Sequence, residues 1–117
     1  MITVDAPEEL RPLPAAVEVA AYRIALEAMT NVLRHAGAGR CRVRISLPSG
    51  DGALAIDVVD DGVGLPPVRR RGVGLDSMRE RAEELGGTFI IEPAAGAGTR
   101  ISAMLPLGMV APLDEAA

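Results

Sequence analysis

Three polar side chains share one face of a predicted long helix, about Ala15 to Ala36, and their types suit a cation and an anion. Glu27, Asn31 and Arg34 follow one another at i, i+4 and i+7, which stacks them along a helix. A carboxylate and an amide oxygen one turn apart are hard oxygen ligands of the kind that Mg²⁺ prefers, and a guanidinium suits phosphate. An ordinary solvated outer stripe is the alternative, and the spacing alone leaves it open.

The remainder of this helix is apolar on two sides, so we expect it to be well buried. Its first apolar stripe comprises Val17, Ala21, Ile24, Ala28 and Val32, and its second comprises Leu26, Met29 and Leu33. The polar residues occupy the face between the two stripes.

An aspartate ends a strand predicted over residues 53–60. Asp60 alternates with Leu54, Ile56 and Val58, so its carboxylate points to the same side as three core residues. A carboxylate aimed inward is costly without a partner, and an amino group on a ligand would supply one. The alternative is an aspartate that caps the turn at Gly62.

Glycines cluster at three places, namely Gly62 to Gly64, Gly72 to Gly74, and Gly96 to Thr99. The first cluster runs into prolines and not into a helix, so it fits the dinucleotide-binding fingerprint poorly. No Gly-Lys-Ser/Thr sequence occurs, which excludes a P-loop. The second cluster precedes a predicted helix, whose N-terminus favours anions, and Arg69 to Arg71 lie just before it. The order of these features along the chain is more specific than any one of them.

The length and composition favour a single domain. The chain has 117 residues, of which 49% are apolar, and its net charge of −4 argues against sequence-independent nucleic-acid binding. Cys41 is the only cysteine, so no intrachain disulfide can form, and we expect a cytoplasmic protein. Neither a signal peptide nor an apolar run of about 20 residues is evident, so we expect no membrane contact by this chain.

Alternating and helical periodicities predict an α+β two-layer sandwich. We expect a mixed, mostly antiparallel sheet that is covered on one face by about three helices. The helices are predicted at about 15–36 and 75–85, and the strands at 2–5, 41–47, 53–60, 88–92 and 99–105. Residues 1–107 form the predicted domain, and residues 108–117 form a tail that we expect to be disordered.

These residues resemble the GHKL-type ATP-binding domain of bacterial sensor histidine kinases. Glu27 to Ala36 is similar to the N box of that family. Its three glycine boxes are matched by Asp60 to Gly64, Gly72 to Leu75, and Gly96 to Thr99. Residues 22–31 and 72–82 further resemble kinases of the nitrate-sensor and desaturase-sensor type. The resemblance covers about residues 2–107.

The resemblance implies a role for each matching residue. It makes Asn31 the Mg²⁺ ligand, and Glu27 either the base that polarises the attacking histidine or an organiser of Mg²⁺ and water. Asp60 would accept a hydrogen bond from the adenine amino group, with Thr99 in support. The remaining implied ATP contacts are Arg34, His35, Gly62, Gly64, Leu65, Arg71, Gly72, Val73, Gly74 and Leu75, with residues 65–71 forming a short lid.

The family also implies partners outside this chain. His35, the only histidine, lies inside the N box, so the phosphoacceptor histidine belongs to a separate dimerisation domain of the same kinase. We therefore expect this chain to be a monomer that binds Mg-ATP without autophosphorylation, in a homodimeric kinase that signals to a response regulator receiver domain. The alternatives are an anti-sigma-factor-type serine kinase, a nucleotide-responsive interaction domain without phosphotransfer, and a domain whose glycines only make turns.

Overall fold

The computed structural model describes residues 2–7, 12–33, 39–47, 52–62, 75–94 and 98–108. Within them lie five strands and two helices in the order β1 Ile2–Asp5, α1 Ala15–Asn31, β2 Cys41–Ser46, β3 Ala53–Asp60, α2 Leu75–Glu84, β4 Thr88–Pro93 and β5 Thr99–Pro106. The strands form one sheet in the order β1-β2-β3-β5-β4. Only β1 and β2 are parallel, and the other pairs are antiparallel.

The strand register aligns apolar side chains in rows across one face of the sheet. Val43 of β2 pairs with Val58 of β3, which pairs with Ile101 of β5, and all three are buried. Because side chains alternate between the two faces of a strand, this register fixes which residues of each strand face the helices. The core therefore lies between this face and the helices, and the opposite face carries Arg42, Arg44 and other polar residues.

Both helices bury a stripe against this face of the sheet. In α1 the stripe comprises Val17, Ala20, Ile24 and Ala28, and in α2 it comprises Leu75, Met78 and Ala82. Small residues in these stripes let each backbone approach the sheet closely. Helix α2 ends at Glu84. Gly86, two residues later, has a positive φ of 79°, and the N–H of Gly87 donates to the carbonyl of Ala82 at 2.9 Å.

The predicted fold is confirmed, including the mixed and mostly antiparallel sheet with helices on one face. The expectation that both apolar stripes of α1 are buried is wrong, since Leu26 is 47% exposed and Leu33 is 72% exposed. Leu26 lies on an exposed side of α1, and Leu33 lies two residues beyond its end. Two of the expected three or so helices lie in the described residues, and the end of the predicted first helix lies outside them, as does most of the predicted tail. No helix among the described residues is long and apolar enough to span a membrane.

Candidate functional site

A polar row ends the buried face of the sheet, beyond its apolar rows. Cys41 of β2 pairs directly with Asp60 of β3, and the β3–β5 register extends by one residue to bring Thr99 beside Asp60. All three are buried, with exposures of 2% for Cys41, 6% for Asp60 and 7% for Thr99. The fold thus places Asp60 and Thr99, two of the predicted site residues, at the same end of the sheet.

The Asp60 carboxylate is both inward-facing and bound to its own turn. Its Oδ1 accepts a hydrogen bond of 2.8 Å from the N–H of Gly62, which is also buried. The two interpretations of Asp60 are thus compatible, because a carboxylate has two oxygens with about four acceptor positions. The bond to Gly62 fixes the orientation of the side chain and leaves acceptor capacity for a ligand.

Cys41 is the neutral neighbour of Asp60 in this row. Burial raises the pKa of the Cys41 thiol, and the negative charge of Asp60 raises that pKa further. The thiol is therefore protonated at neutral pH.

Gly98 holds the third glycine cluster against the first. Its φ of +97° is one that residues with a side chain rarely adopt, and a Cβ there would overlap the carbonyl oxygen of Asp60. The absence of a side chain lets the start of β5 lie directly on the backbone of Asp60, which sets Thr99 in place. The sequence pattern marked this cluster, but it did not single out Gly98, whose role depends on contact with a residue 38 positions away.

Asn31, the last residue of α1, is buried as well, with 6% of its surface exposed. Its Nδ2 atom is buried and has no hydrogen-bond partner among the described residues. Buried polar atoms are nearly always paired, so this atom is a candidate for pairing with a ligand. A solvated outer stripe is therefore wrong for Asn31, whereas Glu27, one turn earlier, is half-buried.

Asp61 lies between Asp60 and Gly62, and the sequence pattern assigned it no role of its own. It is exposed, and its Oδ1 accepts hydrogen bonds of 2.9 Å from the N–H groups of both Gly39 and Arg40. The Asp61 N–H in turn donates to the Arg40 carbonyl at 3.2 Å. The Arg40 amide is the main cause that lowers the pKa of Asp61, and the Gly39 amide and the Arg40 charge add to it.

The remaining predicted site residues divide between those that the structure describes and those that it does not. Leu75 is buried at the first position of α2, and Gly62 is buried in the turn after β3. Eight predicted ATP contacts lie outside the described residues, namely Arg34, His35, Gly64, Leu65, Arg71, Gly72, Val73 and Gly74.

The described residues contain no cluster of three or more His, Cys, Asp or Glu side chains that could hold a metal. Mg²⁺ commonly takes only one or two protein ligands and completes its shell with water and phosphate oxygens, and Asn31 and Glu27 fit that requirement.

Known proteins resemble this chain in both sequence and structure. Residues 16–109 match the family described as histidine kinase-, DNA gyrase B-, and HSP90-like ATPase. The chain is 35% identical to the sensor histidine kinase MctS of Rhizobium johnstonii, over 97% of this chain and 25% of that protein. It is 36% identical to the sensor histidine kinase LiaS of Bacillus subtilis, over 78% of this chain and 25% of that protein.

A solved histidine kinase domain has the same fold. The domain comes from the blue-light activated histidine kinase of Erythrobacter litoralis, with a TM-score of 0.77 and 25% identity, over 92% of this chain and 52% of that chain. The chain spans about a quarter of the length of the two curated relatives. The match over residues 16–109, together with the sheet and its polar row, shows that this chain belongs to the family of histidine kinase-, DNA gyrase B- and HSP90-like ATPases.

Proposed function

We propose that this chain binds Mg-ATP as the catalytic domain of a sensor histidine kinase. The observation that carries the proposal is the buried Asp60 carboxylate, oriented by Gly62 at the end of the sheet in a chain of this ATPase family. The sensor kinases among its relatives support the kinase assignment.

Asp60 recognises the base. The 6-amino group of adenine donates a hydrogen bond to the carboxylate oxygen that Gly62 leaves available, with Thr99 beside it in support. Guanine carries a carbonyl oxygen at this position, which the carboxylate would repel. The pocket therefore selects ATP over GTP, and Gly62 and Gly64 let the backbone approach the base.

Asn31 and Glu27 hold the metal. A rotation of the asparagine side-chain amide that exchanges Oδ1 and Nδ2 changes the shape of the side chain little. The buried Asn31 amide can therefore direct its oxygen to a cation or its nitrogen to a phosphate. Mg²⁺, when bound, neutralises charge on the phosphates. Glu27 stands one turn away as a metal organiser or as the base for the attacking histidine.

The phosphates lie towards the residues that follow Asn31 and those that precede α2. Arg34 and His35 supply contacts from the first segment, and Arg71, Gly72, Val73, Gly74 and Leu75 supply them from the second. Helix α2 begins at Leu75, and the free amides and the helix dipole at this N-terminus favour an anion. Residues 65–71, which the resemblance implies to be a short lid, lie outside the described residues.

The proposed reaction transfers the γ-phosphoryl group to a histidine on a separate dimerisation domain of the same kinase. The bond between the γ-phosphorus and its bridging oxygen breaks, a phosphorus–nitrogen bond forms at the imidazole, and ADP leaves. Glu27 or water takes the imidazole proton. The phosphohistidine then passes its phosphoryl group to a response regulator, and this chain alone binds ATP without phosphorylating itself.

The proposal also covers the kinase subfamily and the parent protein of this chain. We assign the chain to the nitrate-sensor and desaturase-sensor type of kinase, as a monomeric cytoplasmic domain of a homodimeric parent. Its domain occupies residues 1–107. The two sequence stretches at 22–31 and 72–82 support that subfamily.

Calorimetry with ATP and GTP tests the binding part of this proposal. We expect ATP to bind, Mg²⁺ to strengthen that binding, and GTP to bind at least about tenfold more weakly, because one hydrogen bond to a charged group is at stake. Equal affinity for GTP, or no ATP binding by a folded protein, would overturn the assignment. Labelled ATP with a phosphoacceptor domain added in trans then tests transfer, since an interaction domain would leave that histidine unlabelled.

A further inference from the structure

Cys41 lies directly opposite Asp60 in the polar row that ends the buried face of the sheet. The Asp61 N–H donates to the Arg40 carbonyl, so Cys41 and Asp60 form a cross-strand pair that exchanges no backbone hydrogen bonds between its own two members. Such pairs bring their side chains closest in an antiparallel sheet, with Cβ atoms about 4.5–5.5 Å apart. Both residues are buried, so the thiol and the carboxylate are neighbours with little access to water.

The Asp60 carboxylate keeps an oxygen that its own turn does not use. Among the described residues, its hydrogen-bond donor is the Gly62 N–H, which binds Oδ1. The other oxygen is the one assigned above to the adenine amino group. A strong donor on the neighbouring strand would bind this carboxylate before a ligand arrives, because a buried carboxylate is costly without partners.

The thiol of Cys41 is a poor competitor for the carboxylate. An S–H group is a weak hydrogen-bond donor, whereas the hydroxyl of a serine, which has nearly the same shape, is a strong one. In the part of the chain that the structure describes, no hydrogen bond joins the thiol to Asp60. The raised pKa of the thiol also keeps a second negative charge away from the carboxylate. Cys41 therefore fills the position opposite Asp60 without pairing with it.

We propose that Cys41 is a specificity-determining residue, because it leaves one oxygen of the buried Asp60 carboxylate free for the amino group of a purine base. This inference rests on the proposed Mg-ATP binding function. Cys41 acts through Asp60 and needs no contact with the nucleotide. A hydroxyl at position 41 would instead donate to the carboxylate within the protein, and the adenine amino group would have to displace or share that bond.

The test separates the amino-group contact from the rest of nucleotide binding. ATP and purine riboside triphosphate differ only in the 6-amino group, so the ratio of their affinities measures the contact with Asp60. Calorimetry at saturating Mg²⁺ gives this ratio for the wild type, Cys41→Ser and Cys41→Ala. The control is Ala103→Ser, which adds a buried hydroxyl to the same face of the sheet, where its cross-strand partners are the apolar Ile56 and Phe89.

In the wild type we expect ATP to bind at least about tenfold more tightly than purine riboside triphosphate, the scale of one hydrogen bond to a charged group. Cys41→Ser should lower this ratio by about tenfold, because the hydroxyl takes the place of the amino group. Its affinity for purine riboside triphosphate should stay the same or rise, since Asp60 then has a partner without the ligand. Cys41→Ala and Ala103→Ser should keep the wild-type ratio, even where they lower the melting temperature.

Two results would overturn the inference. One is an unchanged ratio in Cys41→Ser, which includes an equal loss of affinity for both nucleotides. The other is a ratio that falls as far in Cys41→Ala as in Cys41→Ser. If Cys41→Ser does not fold, Cys41→Thr supplies the same hydroxyl on a side chain that strands favour. Failure of the wild type to bind ATP, or to prefer ATP over purine riboside triphosphate, would instead refute the proposed function or its base recognition.

Discussion

Replacement of Asp60 by Asn should change which base the pocket accepts. In the wild type, one carboxylate oxygen is held by the Gly62 N–H at 2.8 Å, which leaves an acceptor for the adenine amino group. The amide of an asparagine can keep the Gly62 bond only by directing its oxygen to Gly62. Its NH₂ group then faces the base and presents a donor where adenine also presents a donor.

The magnitude follows from the burial of this position. Asp60 is 6% exposed, so water cannot replace the lost partner. A hydrogen bond to a charged group is worth about 1.5–3 kcal/mol, which corresponds to a loss of ATP affinity of about 10- to 150-fold. GTP should lose nothing and should gain, because its carbonyl oxygen can accept from the new NH₂ group. The ATP-to-GTP preference should therefore fall by at least about tenfold.

Calorimetric titration with each nucleotide at saturating Mg²⁺ measures this ratio. Asp57→Asn is the control, since Asp57 lies on the outer face of the same strand and accepts from Arg100 and Ser102. Asp60→Ala is the harsher variant, because it also leaves the buried Gly62 amide without its acceptor, and it should abolish nucleotide binding. An unchanged ATP-to-GTP ratio in folded Asp60→Asn would refute base recognition by Asp60.

Three further outcomes are expected. Asn31→Ala should make ATP affinity independent of Mg²⁺, which ATP titrations with and without EDTA would measure. An ATP affinity that still depends on Mg²⁺ in this variant would disprove the metal role of Asn31. Gly98→Ala should lower the melting temperature by about 5 °C or more and weaken ATP binding, because the added methyl group would overlap the Asp60 carbonyl. Gly86→Ala is the matched control, since Gly86 also has a positive φ but lies in open space. An equal effect in both variants would contradict this role of Gly98. The lowered pKa of Asp61 means that its contribution to stability is complete above its ordinary value of 3.8 and is lost as pH falls through its lower folded value. The difference in unfolding free energy between the wild type and Asp61→Asn should thus be constant around neutral pH and should decrease only below about pH 4. Denaturant titrations at a series of pH values measure this difference. A decrease that begins near pH 6 would refute the assignment to Asp61.

Much of the fold follows from local pattern. Alternation from Leu54 to Asp60 predicts both the strand and the inward direction of its final carboxylate, because successive side chains of a strand face opposite sides. The Gly86-Gly87 pair predicts the end of α2 for a similarly local reason, the positive φ that a helix end requires. The apolar periodicity of α1 predicted a helix but overstated its burial at Leu26 and Leu33, since periodicity identifies an apolar face without saying whether a partner covers it.

The sequence by itself determined that Asp60 faces inward and that Asn31 lies on a polar stripe of a helix, since both depend on short-range geometry. Only the tertiary structure decided that Cys41, Asp60 and Thr99 form one row, because strand register joins residues that are distant along the chain. It also decided that Gly98 packs on the backbone of Asp60 and that the Asp61 carboxylate accepts hydrogen bonds from Gly39 and Arg40. No local pattern encodes these contacts, because they depend on where the chain returns, and that is set by the packing of the whole sheet against its helices.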